Sequence, residues 1–294
     1  MRLQPDRGGE CAVHTAAWRQ PQDSQLEEEL GVDIFERNGK RLTGLTDPGR
    51  GILQIIDRLL LEAENLQRAS QEYAGQEIGT LAVATTHTQA RYMLPKVVQV
   101  FRKEFPKVRI ALQQSTPEHI AEWVLSGKAD IGIATEGLSQ FEDLVSFPCY
   151  RWHHSVVVPD GHPLLEKKLI TLADLAQYSL ITYDLGFTGR GHIDDAFKQA
   201  DITTDIVLTA MDSDVIQQYV LLNLGVGIVA SMALQQNGSN GLKVIDASHL
   251  FAQNVTRLAV RRGAYLRQYT YDFIQQFAPE LTRADIDEAM KAHS

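Results

Sequence analysis

The stretch Gly79-Thr80-Leu81-Ala82-Val83-Ala84-Thr85-Thr86-His87-Thr88-Gln89-Ala90-Arg91 decides the fold of this chain. Its first half is short and rich in small and apolar residues, which is the pattern of a buried strand. Beyond its second half, apolar residues recur at three- and four-residue steps, as on one helix face: Met93, Leu94, Val97, Val98 and Phe101. The sequence therefore predicts a buried strand that runs directly into a helix.

Uncharged polar side chains fill the junction between this strand and this helix, and they are Thr85, Thr86, Thr88 and Gln89. The first backbone N–H groups of a helix have no partner within the helix, and that end carries a partial positive charge. Such a junction favours a small anion as a ligand. The alternative is that the threonines only cap the helix, and the junction by itself leaves both interpretations open.

From Gly79 onward, predicted strands and helices alternate, which indicates an α/β fold with parallel sheet. Residues 129–135 form one such strand, and Thr135 stands at its carboxyl end, where open α/β sheets bind ligands. Residues 186–191 are interpreted as a flexible loop before a helix that begins at about Ile193. Residues 213–224 are interpreted as a helix that Gly225 ends.

The region before residue 46 has the pattern of a winged DNA-binding module. A helix end stops at Gly31, and a short strand then leads into the hairpin turn Asn38-Gly39. Arg37, Lys40 and Arg41 stand at this hairpin and are predicted to contact the DNA backbone, which gives salt-dependent affinity without sequence reading. The alternative is that this basic tip is only a solvated turn.

A long amphipathic helix is predicted to begin at Thr46-Asp47-Pro48 and to continue to about Gln71. One of its faces is apolar and the other is charged; the apolar face comprises Ile52, Ile55, Ile56, Leu59, Ala63 and Leu66. Because this helix stands between two domains, we expect it to pair with a second copy of the chain. Packing against its own chain is the alternative.

Composition narrows the class of protein. The 294 residues, 44% hydrophobic and 22% charged, are typical of a globular protein with two domains, or with one domain and an appendage. No apolar run approaches the roughly 18 residues of a membrane span, and the N-terminus lacks the apolar core of a signal peptide. The sequence therefore predicts a cytoplasmic protein without a membrane partner. The net charge of −9 argues against a protein that coats nucleic acid, but allows a small DNA-reading module on an acidic body.

Enzyme signatures are missing from the sequence. It has no nucleophile elbow, phosphate loop, zinc-protease motif or Cys-x-x-Cys pair. Gly225-Val226-Gly227-Ile228-Val229-Ala230 fits a dinucleotide-binding spacing, but a helical pattern precedes it and a strand follows, which is the wrong context. His87 has no evident nucleophile beside it and is interpreted as a hydrogen-bonded structural histidine. We therefore expect no enzyme activity, no catalytic residue, no cofactor and no metal site.

Several stretches resemble the LysR-type transcriptional regulators. Leu26-Glu27, Leu30-Gly31, Ile34-Phe35 and Arg37, followed by Leu42-Thr43 and Gly49, are similar to the end of their winged helix-turn-helix. The remaining stretches are similar to the CysB-like branch, the regulators of sulfur assimilation and cysteine synthesis. They are residues 84–91, 133–136, 148–152, 186–190, 212–216, 224–230 and 271–279.

The resemblance implies a periplasmic-binding-protein-like effector domain of two α/β lobes, with the ligand in the cleft between them. It implies sulfate or an acetylserine-type effector as the ligand, promoter DNA as a partner, and a homodimer or homotetramer. Carried over residue by residue, the ligand contacts fall on Thr86, Thr88, Gln89, Thr135, Trp152 and Thr188. Taken alone, Trp152 has the character of a core residue, whereas the resemblance places it at the cleft wall.

The sequence departs from this pattern before Leu26, where the stretch is about a dozen residues too short for a complete helix-turn-helix of this kind. The expected division is a truncated winged helix-turn-helix at 1–46, a linker and dimerisation helix at 47–76, and an effector domain at 77–294. Lobe I is expected to comprise 77–149 and 252–294, and lobe II 150–251. The expected function is a sulfur-responsive regulator with impaired DNA binding. A sensor or solute-binding protein without DNA binding is the alternative.

Overall fold

The computed structural model describes residues 24–39, 41–74, 78–234 and 241–292. The chain separates into two compact units, Met1–Gln67 and Arg68–Ser294. Within the described residues, no helix combines the length and the apolar character needed to cross a membrane.

The first unit contains the predicted basic hairpin. A helix (α1, residues 24–30) ends at Gly31, whose φ of +71° is readily accessible only to glycine. Strands β1 (Phe35–Asn38) and β2 (Arg41–Leu45) then pair antiparallel. The Glu27 carboxylate joins α1 to β1, since its Oε1 accepts hydrogen bonds from the backbone N–H groups of Ile34 and Phe35 at 2.8 and 2.9 Å. The predicted hairpin is confirmed, but Asn38 pairs with Arg41 and therefore belongs to β1, so the turn begins at Gly39 and not at Asn38.

Helix α2 (Asp47–Tyr73) follows, and the Thr46 hydroxyl accepts a hydrogen bond from Gly49 N at 2.9 Å in its first turn. Large apolar side chains are exposed along this helix: Leu53, Ile55, Leu59, Leu60 and Leu66. Its last residues belong to the second unit, where Arg68 forms an ion pair with Asp130 at 2.9 Å. The predicted amphipathic helix is thus present; Ile55, Leu59 and Leu66 of its apolar face are exposed, whereas Ile52 and Ile56 are half-buried.

The second unit contains two five-stranded sheets, each with helices packed on it, which we call the first and second lobes. In the first lobe the strand order is β4-β3-β5-β12-β6. These strands are β3 (Gly79–Thr85), β4 (Val108–Gln114), β5 (Ile131–Ala134), β6 (Leu144–Trp152) and β12 (Asn254–Arg261). The helices are α3 (Leu94–Glu104), α4 (Pro117–Leu125), α8 (Gln268–Phe277) and α9 (Arg283–Lys291). Strand β3 lies between β4 and β5, parallel to both, so it is an inner strand of the sheet.

In the second lobe the strand order is β11-β7-β10-β8-β9. These strands are β7 (His154–Pro159), β8 (Leu180–Tyr183), β9 (Ile206–Ala210), β10 (Val226–Ala230) and β11 (Leu242–Asp246). The helices are α5 (Leu172–Leu175), α6 (Thr188–Gln199) and α7 (Ser213–Leu221). The chain passes between the sheets twice, once at His153 and once through residues 247–253, so the lobes face each other across two strand connections.

Two local predictions were wrong. Helix α6 begins at Thr188 and not near Ile193, because Arg190 secures the glycine-containing segment. Its Nη1 donates to the Tyr183 carbonyl at 2.8 Å and its Nε pairs with Asp194 at 2.7 Å. Helix α7 ends at Leu221, where Asn223 adopts a φ of +58°. Gly225 therefore does not end the helix; a Cβ there would lie 2.5 Å from the Ser179 carbonyl oxygen, so packing requires the glycine.

Candidate functional site

A small cavity of about 30 Å³ lies between the two lobes. It is lined by Thr86, Thr88, Gln89, Thr135, Trp152, Tyr183, Phe187 and Gly189. The carboxyl ends of β3 and β5 supply the threonines and the glutamine, whereas β8 and the start of α6 supply the opposite wall. The structure thus brings together five of the residues that the sequence singled out. Thr188 is the first residue of α6, between two lining residues.

The turn after β3 explains how Gln89 comes to face the cavity. Residues Gln89–Met93 form a single π-helical turn, a wide conformation that is frequent at functional sites. Gln89 is only 1% exposed, and its Nε2 donates to the Thr256 hydroxyl at 3.1 Å. Its Oε1 accepts a hydrogen bond from the Tyr150 hydroxyl. Both ends of the amide are therefore held, and its orientation is set before any ligand arrives.

The same network positions the indole of Trp152. Its Nε1 donates to the Thr256 hydroxyl at 3.1 Å, so this one oxygen accepts from both Gln89 and Trp152. Burial raises the pKa of the Tyr150 phenol, and the hydroxyl therefore remains protonated as a donor to Gln89. Thr256 is fully buried on β12 and lies behind the wall of the cavity. The wall is a rigid set of hydrogen-bonded side chains.

Thr135 differs from these residues, because its hydroxyl oxygen is buried without a hydrogen-bond partner in the described part of the chain. The residue is 6% exposed and lines the cavity. A buried hydroxyl without a partner costs about 1–3 kcal/mol, so native proteins rarely leave one in place without a reason. A ligand atom with a lone pair in the cavity would satisfy this donor.

The second lobe contributes Tyr183 and the amino-terminal end of α6. The Tyr183 oxygen accepts a hydrogen bond from Ala230 N at 2.8 Å and lies 2.6 Å from the Ser213 hydroxyl. Burial raises the pKa of Tyr183, and hydrogen bonding from its surroundings, including the Thr88 side chain of the first lobe, opposes that shift. The first backbone N–H groups of α6 add donors with a favourable dipole. The described lining residues are all uncharged, so negative charge in the cavity meets dipoles and not cations.

A second group of polar residues stands beside the cavity. Ligand atoms of His87, Asp212 and Asp214 lie within 4.8 Å of one another, the one such group in the described residues. Asp214 is already engaged, since its Oδ1 accepts from the Tyr92 hydroxyl at 2.7 Å and its Oδ2 pairs with Arg91. His87 Nδ1 lies 2.8 Å from Gln114 Oε1, which fits its interpretation as a structural histidine. This group is arranged as a contact between lobes.

The three residues predicted to contact the DNA backbone differ in their surroundings. Arg37 pairs with Glu27 and hydrogen-bonds with the Ser24 hydroxyl at 3.3 Å, so its guanidinium is engaged within the first unit. Arg41 is exposed on β2, and Lys40 lies outside the described residues.

Sequence reasoning missed three residues that line the cavity, Tyr183, Phe187 and Gly189, and two that support its wall, Tyr150 and Thr256. Tyr183 ends a strand that the sequence did predict, so the rule that ligands bind at carboxyl strand ends could have found it. Thr256 meets Gln89 across 167 positions of sequence, and no local pattern carries that information.

Comparison with known proteins identifies the family. The profile described as the LysR substrate binding domain matches residues 74–282. The chain belongs to the LysR family.

LysR proteins of one group are its near relatives. The chain is 55% identical over 265 residues to the HTH-type transcriptional regulator SsuR of Burkholderia cenocepacia, covering 90% of this chain and 86% of that protein. It is 50% identical over 270 residues to CysB of the same organism, with 92% and 86% covered. It is 47% identical over 262 residues to Cbl of Escherichia coli, with 89% and 83% covered. These relatives are transcriptional regulators and not enzymes.

Solved structures of the LysR family match the fold. The cofactor-binding domain of the Cbl transcriptional regulator matches with a TM-score of 0.71 and 46% identity, covering 74% of this chain and 95% of that one. Full-length CbnR complexed with its target DNA matches with a TM-score of 0.59 over 90% of this chain and 89% of that one. At 20% identity, CbnR supports the fold alone.

Proposed function

We propose that this LysR protein regulates genes of sulfur assimilation and cysteine synthesis by sensing sulfate or an acetylserine-type molecule in the cavity between its lobes. The observation that carries the ligand class is the uncharged cavity with the unpartnered Thr135 hydroxyl. The identity of 55% and 50% with SsuR and CysB supports the sulfur-related role.

The cavity suits an anion that carries no proton of its own. Hydroxyl and amide donors can surround such an ion without a buried lysine or arginine, and each hydrogen bond to a charged group contributes about 1.5–3 kcal/mol before ordering costs. Binding also has to offset lost motion and desolvation, so a rigid set of donors favours affinity. Thr88 of the first lobe and Tyr183 of the second both line the cavity, so a ligand there contacts both lobes at once.

The remainder of the chain supports an action on promoter DNA in the cytoplasm. We assign residues 1–46 to a truncated winged helix-turn-helix, 47–76 to a linker that pairs subunits, and 77–294 to the effector domain. The antiparallel β1–β2 hairpin with exposed Arg41 supports a contact with the DNA backbone. The exposed apolar side chains of α2 support a homodimer or homotetramer.

Calorimetric titration of the full chain with sodium sulfate and with acetylserine tests the ligand. Thr88→Ala removes one hydroxyl from the cavity lining, so we expect the dissociation constant to rise at least tenfold. Thr203→Ala, an exposed threonine of the second lobe, is the matched control and should bind as the unchanged protein does. Equal affinity in Thr88→Ala and the control would remove Thr88 from the site.

A gel shift on a sulfur-assimilation promoter tests the DNA partner. Because the helix-turn-helix is truncated, we expect weak retardation of the DNA, and the affinity should fall further as salt rises because contacts with phosphates release counterions. Ligand binding without any promoter shift would instead support a sensor that does not bind DNA.

A further inference from the structure

The turn that lines the cavity also reaches into the second lobe. The π-helical turn Gln89–Met93 directs Gln89 toward the cavity and Tyr92 toward the opposite lobe. Tyr92 is 5% exposed although it belongs to the first lobe. Its ring packs in the apolar cluster of the second lobe, with residues that include Val157, Ile181, Ala210 and Ile216. Separation of the lobes would therefore expose this aromatic ring to water.

The Tyr92 hydroxyl has a specific partner at the start of α7. It donates to Asp214 Oδ1 at 2.7 Å, and Arg91 pairs with the second oxygen of the same carboxylate. The Arg91 side chain is 50% exposed, so solvent screens its ion pair. The hydrogen bond between Tyr92 and Asp214 is better shielded from solvent, because the Tyr92 ring is buried. His87 Nε2, 3.9 Å from Asp212 Oδ2, adds a weaker contact beside it.

Ligand contact and lobe contact thus share one turn of the backbone. Thr88 and Gln89 line the cavity, and Arg91 and Tyr92 hold Asp214. These four residues lie within positions 88–92 of the chain. We propose that Tyr92 and Asp214 form a latch that holds the lobes closed around the ligand. Tyr92 and Asp214 are positioning residues, and this role rests on the proposed ligand site.

Kinetics separates a latch from a ligand contact. A latch acts after the ligand has entered, so its loss should speed dissociation and leave association nearly unchanged. We expect Tyr92→Phe and Asp214→Ala each to raise the dissociation rate of sulfate or acetylserine about tenfold in stopped-flow fluorescence. The double variant should release the ligand little faster than Asp214→Ala alone, because Asp214→Ala already breaks the bond that Tyr92→Phe removes.

Matched controls exclude general effects of the substitutions. Tyr219→Phe removes an exposed phenol from α7, and Asp195→Ala removes an exposed carboxylate from α6, without touching the latch. Both controls should release the ligand at the rate of the unchanged protein. The latch would be overturned by an unaltered dissociation rate in Tyr92→Phe. It would also be overturned if the increases in dissociation rate of the two single variants multiplied in the double variant.

Hydrogen exchange without added ligand gives an independent readout. Exchange at residues 89–93 and at the start of α7 should accelerate in Tyr92→Phe but not in Tyr219→Phe. Equal exchange in the two variants would refute the latch, whatever the ligand proves to be. Failure of the unchanged protein to bind either probe would refute the ligand assignment, while the exchange result would still decide the latch.

Discussion

At the scale of single residues, His154 shows how burial shapes chemistry near the site. It is fully buried at the start of β7, and both ring nitrogens lack a partner in the described chain. The Trp152 and Phe251 rings lie 5.2 and 5.7 Å from its own ring. This apolar burial, with smaller effects of His192 and His153, lowers the pKa of His154 to about 3. The imidazole is therefore neutral throughout the physiological range.

The lowered pKa of His154 predicts an acid-sensitive fold. In the unfolded chain this group takes up a proton near its ordinary pKa of 6.5, whereas in the folded chain it does so only near 3, so stability falls as pH drops below 6.5. Between pH 7 and pH 5.5 the expected loss is about 1 kcal/mol. His154→Gln should lack this component. Urea unfolding of both proteins at the two pH values measures it, and an identical pH dependence would contradict the prediction.

At the scale of elements, the start of α2 is packed against the hairpin that precedes it. A Cβ on Gly49 would lie 2.1 Å from the Ile34 carbonyl oxygen, which is backbone and cannot rotate away. Gly51, two positions further along α2 and therefore on a different face of the helix, has nothing within 4 Å of the equivalent point. The close approach explains why this position requires glycine although glycine disfavours helices.

These two glycines offer a matched pair of substitutions. Gly49→Ala should destabilise the first unit by at least about 2 kcal/mol, since overpacking against backbone forces a shift. Gly51→Ala should be neutral or stabilise α2 by up to about 1 kcal/mol. Urea unfolding and limited proteolysis within residues 24–50 measure the effect. Similar behaviour of the two variants would show that the approach to Ile34 does not constrain the fold.

Sequence patterns predicted those elements whose signals are local. Strand β3 and the following turn, the Asn38-Gly39 hairpin and α2 all follow from spacing, because their residues interact with near neighbours. The start of α6 was misplaced because its stability comes from Arg190, which reaches back to the carbonyl of Tyr183. Local glycine content indicated a loop, and a contact outside the helix overrode it.

At the scale of the whole molecule, the chain presents exposed apolar side chains on α2 as well as a cavity between its lobes. Leu59 and Leu66 of α2 are 65% and 73% exposed. Large apolar side chains that lie together on a surface favour association with another protein. We therefore expect the exposed face of α2 to pair subunits in solution. Effector sensing and subunit pairing then use different parts of the chain.

Substitution on α2 tests this pairing. Leu59→Glu places a charge on the apolar face and should shift the protein toward monomer, raising the dissociation constant of the dimer at least tenfold. Arg58→Glu changes a charge on the neighbouring exposed position and is the control. Sedimentation velocity over a range of protein concentrations measures the equilibrium. An unchanged oligomer in Leu59→Glu would exclude this face as the contact.

What the sequence by itself determined is the set of short-range features: the strand-to-helix turn with its threonines and Gln89, the amphipathic α2, and the alternation of strands and helices. Side-chain period and the open donors of a helix start are properties of neighbouring residues, so they can be recognised along the chain. Only the tertiary structure decided which distant side chains complete the site. Tyr150 and Thr256 hold Gln89 across 61 and 167 positions, and Tyr92 reaches Asp214 across 122. The contacts of Gln89 exist because distant strands meet in the sheet of the first lobe, and the contact of Tyr92 exists because the two lobes meet. Residue spacing does not encode which side chains then come together.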